Sequence, residues 1–168
     1  MKYNKIFILG TSGSGKTTLA NQISKKTNIP CHNLDDIFWY KKFSKKRNTK
    51  KVDVLINNLL KEEKWIVEGV YGWWTEAFAQ KSDLIIFLDI PFRKLAWRNL
   101  KRYLFENEKR PNEDFKNLLR LIRYVSKYKK EDYEGSYASH KKIIKNNKTS
   151  LVVIKKNSDI KKLLKNFF

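Results

Sequence analysis

Cysteine is nearly missing from this chain: Cys31 is the only one in 168 residues. No intrachain disulfide and no cysteine-built zinc cluster can form, and a reducing compartment is expected. Glycine and proline are scarce too, at 6 and 3 residues, which excludes collagen-like and low-complexity classes. Long apolar runs are missing. The longest, 84–88, stops at Asp89, far short of the ~20 residues of a membrane-spanning helix. The first apolar stretch, 6–9, is shorter than the roughly 7 to 15 residues of a signal-peptide core. A soluble, cytoplasmic protein without a membrane partner is the expectation. Acids are outnumbered, 17 against 37 Lys and Arg, for a net charge of +20. Such an excess suggests a polyanion partner, but 30 of the 37 cations are Lys, and a Lys excess also arises from compositional bias.

What is present is enough apolar material, 41% of residues with 14% aromatic, to build the core of a single domain over 1–168. Short β-type runs occur at 6–9, 29–34, 65–67, 84–88 and 151–154. Between them, apolar residues at helical spacing predict helices from Leu19, Val52, Leu95, Phe115 and Ile160 onward. Strands alternating with helices predict an α/β domain with a central parallel sheet in three layers. Gly10, Asp35, Glu68 and Asp89 all fall at the carboxyl ends of predicted strands, where such sheets bind ligands.

The most specific pattern is Gly10-x-x-x-x-Gly15-Lys16-Thr17, a Walker A sequence between a strand and a helix. Gly10, Gly13 and Gly15, with Thr11, Ser12 and Ser14 between them, let the backbone curl into a nest of N–H groups. The helix that starts at the loop adds its positive dipole end. A triphosphate fits there, ATP by preference, with Lys16 bridging the β and γ phosphates, Thr17 ligating Mg²⁺ and Thr18 on the α phosphate. The chain has no Asn-Lys-x-Asp stretch to read guanine. It is also short for a motor with sensor and arginine-finger elements. A small phosphotransferase remains.

Four segments together, 10–18, Leu34-Asp35-Asp36-Ile37-Phe38-Trp39, Trp65-Ile66-Val67-Glu68-Gly69-Val70-Tyr71 and Asp83-Leu84-Ile85-Ile86-Phe87-Leu88-Asp89-Ile90-Pro91, resemble the DNA topology modulation protein family of adenylate-kinase-related P-loop proteins. The family usually has Asp-Gly-Asn-Tyr where this chain has Glu68-Gly69-Val70-Tyr71. The resemblance implies a nucleoside-monophosphate-kinase-like fold with an acceptor-side segment at about 35–63 and a helical lid at about 103–135. It also implies that the third strand lies beside the P-loop strand, which favours Glu68 over Asp89 as the carboxylate ordering Mg²⁺. Asp35 resembles the acid that small-molecule kinases set near the metal or the acceptor hydroxyl, and Asn157 follows the last strand where related kinases hold adenine. Arg98 and Arg102, spaced i and i+4, share a helix face. Planar guanidinium groups there suit the charge that spreads over a transferring phosphoryl group. Arg110, Arg120 and Arg123 are the expected lid cations.

Trp39, Tyr71, Trp73 and Trp74 flank these motifs and suit an acceptor pocket, by stacking or by packing, whereas Trp65 and Trp97 read as core. His32 and His140 lack metal-ligand spacing. A rival reading, a nucleic-acid-associated regulatory ATPase or a polynucleotide kinase, rests on seven cations and no acid between Tyr40 and Val52.

Overall fold

The computed structural model describes residues 3–41, 45–69, 74–105 and 115–168. Five parallel strands form the central sheet: β1 (Lys5–Leu9), β2 (Cys31–Asn33), β5 (Trp65–Glu68), β6 (Leu84–Leu88) and β7 (Ser150–Ile154), in the order β2-β5-β1-β6-β7. A two-stranded antiparallel hairpin, β3 (Trp39–Lys41) and β4 (Lys45–Lys46), stands apart from it. The helices are α1 (Lys16–Thr27), α2 (Leu34–Phe38), α3 (Thr49–Lys61), α4 (Trp74–Lys81), α5 (Phe92–Phe105), α6 (Phe115–Lys127), α7 (Tyr137–Asn146) and α8 (Asn157–Asn166). None of the described helices is long and apolar enough to cross a membrane.

Both faces of the sheet are covered, which is why its strands are continuous apolar runs instead of alternating ones. Period-two geometry sends Ile6 and Ile8 of β1 to one side, where they meet Leu19, Ala20 and Ile23 of α1, Leu95 of α5, Val125 of α6 and Leu163 of α8. Phe7 and Leu9 point to the other side. There they join Val52, Ile56 and Leu59 of α3, and Trp74, Phe78 and Ala79 of α4. The expected three-layer α/β arrangement of a P-loop, kinase-like fold is thus the observed one.

Register fixes what lies beside the glycine loop. β1 pairs with β5 through Ile8 and Glu68, and with β6 through Leu9 and Phe87. Glu68 therefore ends its strand next to the start of the loop. The chain leaves β1 towards β2 on one side and later crosses to β6 on the other, so the loop occupies the point where the winding reverses, the usual ligand crevice of such sheets.

Four details differ from the sequence expectation. The second strand is shorter than 29–34, because Asn33 turns to cap α2: its Oδ1 accepts from the Asp35 amide at 2.8 Å. Asp35 thus opens a short helix instead of ending a strand. The hairpin and the helices α4 and α7 were not foreseen at all. Trp97, expected in the core, is 61% exposed, whereas Trp65 is fully buried. The inward positions of α5 are taken by Leu95 and, unusually, Asn99.

Phe78 packs its ring on Phe7 and edge-on against Trp65, with centroids 6.0 and 5.3 Å away. Phe78→Ala should cost about 3–5 kcal/mol, read as a lowered urea midpoint with an unchanged slope.

Candidate functional site

The turn from β1 into α1 is a strained curl built for small residues. Gly10, Gly13 and Gly15 adopt φ of 150°, 75° and 96°, backbone that side-chain-bearing residues rarely take. The Ser14 amide donates to the Thr11 carbonyl at 3.2 Å, closing the turn. α1 begins at Gly15, which has no side chain to cap it. Its first amides and its dipole are left to whatever occupies the loop. Thr11 Oγ1 and Ser14 Oγ are also buried without a hydrogen-bond partner among the described residues. Buried orphan groups of this kind call for an acceptor-rich ligand, and an oligophosphate is one.

Three side chains converge beside the loop. The Thr17 hydroxyl donates to Glu68 Oε1 at 2.5 Å. Glu68, only 3% exposed, also faces Lys16, whose Nζ lies 3.9 Å from Oε2 and donates to the Thr11 carbonyl at 3.3 Å. A buried carboxylate is costly unless it is paired and hydrogen-bonded, and here it is both. Among the described residues no three His, Cys, Asp or Glu gather as a metal cluster. The donor set is one hydroxyl and one adjacent carboxylate, which fits Mg²⁺, an ion that keeps most of its waters and takes phosphate oxygens. It does not fit a zinc site. Asp89, the other strand-end acid, follows β6 on the other side of β1 and is bound by Lys129 Nζ at 2.5 Å.

Helix α5 braces the loop from outside. Arg98 donates from Nη1 to the Ser14 and Gly13 carbonyls at 2.8 and 3.4 Å, and from Nη2 to Asn157 Oδ1 at 2.9 Å. It therefore ties the loop to the first residue of α8. Arg102, one turn on, donates to Asn99 Oδ1 at 3.1 Å, while Asn99 Nδ2 donates to the Leu95 carbonyl at 2.9 Å. The two arginines are on one face but have different partners. Asn99 was not foreseen. It is fully buried and so close to the loop that a Cβ on Gly13 would sit 2.4 Å from its Nδ2. An asparagine spaced i+4 from an apolar residue and i−3 from an arginine was the available signal.

Other expected residues are less closely joined. Asp35 lies half-buried in the first turn of α2; burial raises the pKa of Tyr124 on α6, a hydrogen bond with Tyr133 opposes that, and the Asp35 charge adds a smaller rise. Trp39 is half-buried, its ring edge-on to Phe38 at 5.1 Å, and Phe38 leans on Trp74 at 5.7 Å. Ser12 is half-buried and Thr18 exposed at the loop. Arg120 and Arg123 are exposed on α6, Arg120 donating to Asn117 at 3.0 Å. Arg110, Tyr71 and Trp73 lie outside the described residues. His140 is buried and bonded to the Tyr128 hydroxyl at 2.7 Å.

A family model described as an AAA domain matches residues 6–119, from the first strand into α6. The uncharacterized protein YqaC of Bacillus subtilis strain 168 is 36% identical over 108 residues, 61% of this chain and 60% of that protein. The chain thus spans less than two thirds of the curated relative it matches. A shikimate kinase of Bacteroides thetaiotaomicron superposes with a TM-score of 0.61 at 15% identity, covering 97% of this chain and 95% of that one. A sugar kinase of Janibacter sp. HTCC2649 follows at 0.51 and 15% identity, covering 95% and 89%. At such identity the likeness is one of fold.

Cys31 reports on the site. Burial, and then the Glu68 charge, push its thiol up to about 11. A thiol with its ordinary value of 9.0 is about one tenth ionised at pH 8, and this one only about a thousandth, so iodoacetamide should alkylate it about 100-fold more slowly. Glu68→Gln removes a charge that raises the pKa and should speed alkylation. An unchanged rate contradicts the placement.

Proposed function

Because the chain belongs to the AAA domain family, we propose that it is an ATP- and Mg²⁺-dependent phosphotransferase, a small kinase that moves the γ-phosphoryl group of ATP to a small-molecule or nucleotide acceptor. The observation that carries this reading is the Thr17 to Glu68 contact of 2.5 Å with Lys16 beside it. A hydroxyl, a carboxylate and an ammonium meet where the β and γ phosphates would lie. The AAA description covers P-loop proteins of several kinds. The kinase-like fold favours a small kinase over a motor.

Each residue has a task in this scheme. The loop amides and the open end of α1 hold the phosphates, Lys16 neutralises the β and γ oxygens, and Thr18 contacts the α phosphate. Mg²⁺, when bound, supplies the remaining positive charge on the phosphate oxygens. Thr17 and Glu68 would hold it. Asp35 accepts the proton of the acceptor hydroxyl as that oxygen forms its bond to the γ phosphorus, and the bond to the β-phosphate oxygen breaks to release ADP. Arg102 meets the charge on the equatorial oxygens. Arg98 holds the loop and Asn157 in register, and Asn157 lies beside the adenine.

The finer outline belongs to the same proposal. It is a single cytoplasmic domain akin to the DNA topology modulation proteins, with the acceptor entering over 35–63, Trp39, Tyr71 and Trp73 lining its pocket, and a lid over 103–135 carrying Arg110, Arg120 and Arg123. Closure of the lid excludes water from the transfer.

Transfer is measured with γ-labelled ATP across nucleosides, nucleoside monophosphates, small metabolites and oligonucleotides. Lys16→Ala should abolish labelling of the acceptor with the fold retained. Arg102→Ala should lower kcat by about 100-fold or more, and Arg98→Ala should act mainly on KM for ATP. Full turnover by Lys16→Ala would overturn the assignment.

A further inference from the structure

The cations of the hairpin and of the exposed side of α3 have no task in the transfer scheme. Seven of the thirteen residues from Tyr40 to Val52 are Lys or Arg, against 30 in the other 155. Compositional bias spread along the chain does not produce that concentration. Between Asp36 and Glu62 the sequence holds one acid, Asp53, and its Oδ1 is buried.

The cations divide by what they touch. Arg47 is a staple: its Nε donates to the Ile37 carbonyl at 2.9 Å and its Nη2 to the carbonyls of Asp36 and Trp39 at 3.3 and 3.5 Å. It pins the hairpin to α2 and has few donors left for a ligand. Lys45, Lys46, Lys50 and Lys51 are exposed. Lys50 and Lys51 are one helical turn from Val54 and Leu55, which are themselves 57% and 40% exposed. With Arg47 these four line a cavity of about 420 Å³, an apolar floor with a cationic rim. Beside it Tyr40 is 69% exposed, with Lys45 Nζ 5.6 Å and Arg47 Cζ 5.8 Å from its ring centre.

We propose that this face binds single-stranded nucleic acid, with Lys45, Lys46, Lys50 and Lys51 on the phosphates, Tyr40 as a stacking platform and the trough over Val54 and Leu55 taking a base. Charge complementarity selects a polyanion. The aromatic and apolar groups among the lysines select one with exposed flat faces, which a single strand offers and a duplex keeps in its stack.

Fluorescence anisotropy with a short labelled oligothymidylate, from about 50 to 200 mM KCl, tests it. Replacing both Lys50 and Lys51 by Gln should make log K against log salt shallower by about 1.4, at about 0.7 per phosphate contact on a single strand. Tyr40→Ala should weaken binding by about 5- to 150-fold with the slope unchanged. Removing the same charge from α7, with Lys141→Gln and Lys142→Gln, should change neither. Three results overturn the proposal: no binding at the lowest salt, an equal loss from the α7 pair, or Tyr40→Ala binding oligothymidylate as wild type does while heparin competes equally. The readout is binding alone, so it stands or falls separately from any acceptor being found.

Discussion

A backbone that turns through three left-handed or near-forbidden glycines at the end of β1 constrains everything around it. The curl is closed by the Ser14 amide on the Thr11 carbonyl and held from both sides. Inside the sheet it is held by register: Ile8 beside Glu68 and Leu9 beside Phe87 fix where the strand stops. Outside, Arg98 takes the Gly13 and Ser14 carbonyls, and the Asn99 amide closes the space over Gly13. The two apolar cores on either face of β1 then make the strand itself immovable. The buried charge of Glu68 is tolerated because a hydroxyl and an ammonium meet it.

The same arrangement explains why two arginines on one helix face need not do one job. Arg98 spends its donors on protein carbonyls and Asn157. Arg102 is oriented by an asparagine that is itself anchored to the helix backbone. A planar cation held in this way needs no reorganisation when charge develops nearby, which is where electrostatic stabilisation gains most. The net charge of +20 divides likewise into site cations, dispersed lysines such as those of α7, and one concentrated face on the hairpin and α3.

Much of this was legible from the residues, and the reasons differ by element. The loop could be read because the conformations it needs are marked locally by glycine. The ends of the central strands could be read because runs buried on both faces stop at a polar residue, as at Glu68 and Asp89. The hairpin was not legible: Lys45 and Lys46 carry no alternation, and β4 is tied to α2 by Arg47 reaching back to the Ile37 carbonyl ten residues away. Trp97 was misassigned because helical spacing does not say which stripe faces inward. On α5 the inward stripe holds Asn99, whose burial makes sense only beside Gly13.

The proposed coupling of Thr17 and Glu68 to Mg²⁺ is tested most directly by calorimetry of ATP binding with and without Mg²⁺. In the wild-type protein Mg²⁺ should strengthen ATP binding, and Thr17→Val and Glu68→Gln should each remove most of that gain. The double variant should lose little more than either single one, as expected for two groups acting through a shared contact. A Mg²⁺-dependent gain left intact in Glu68→Gln, or a wild-type protein that does not bind ATP, would contradict it.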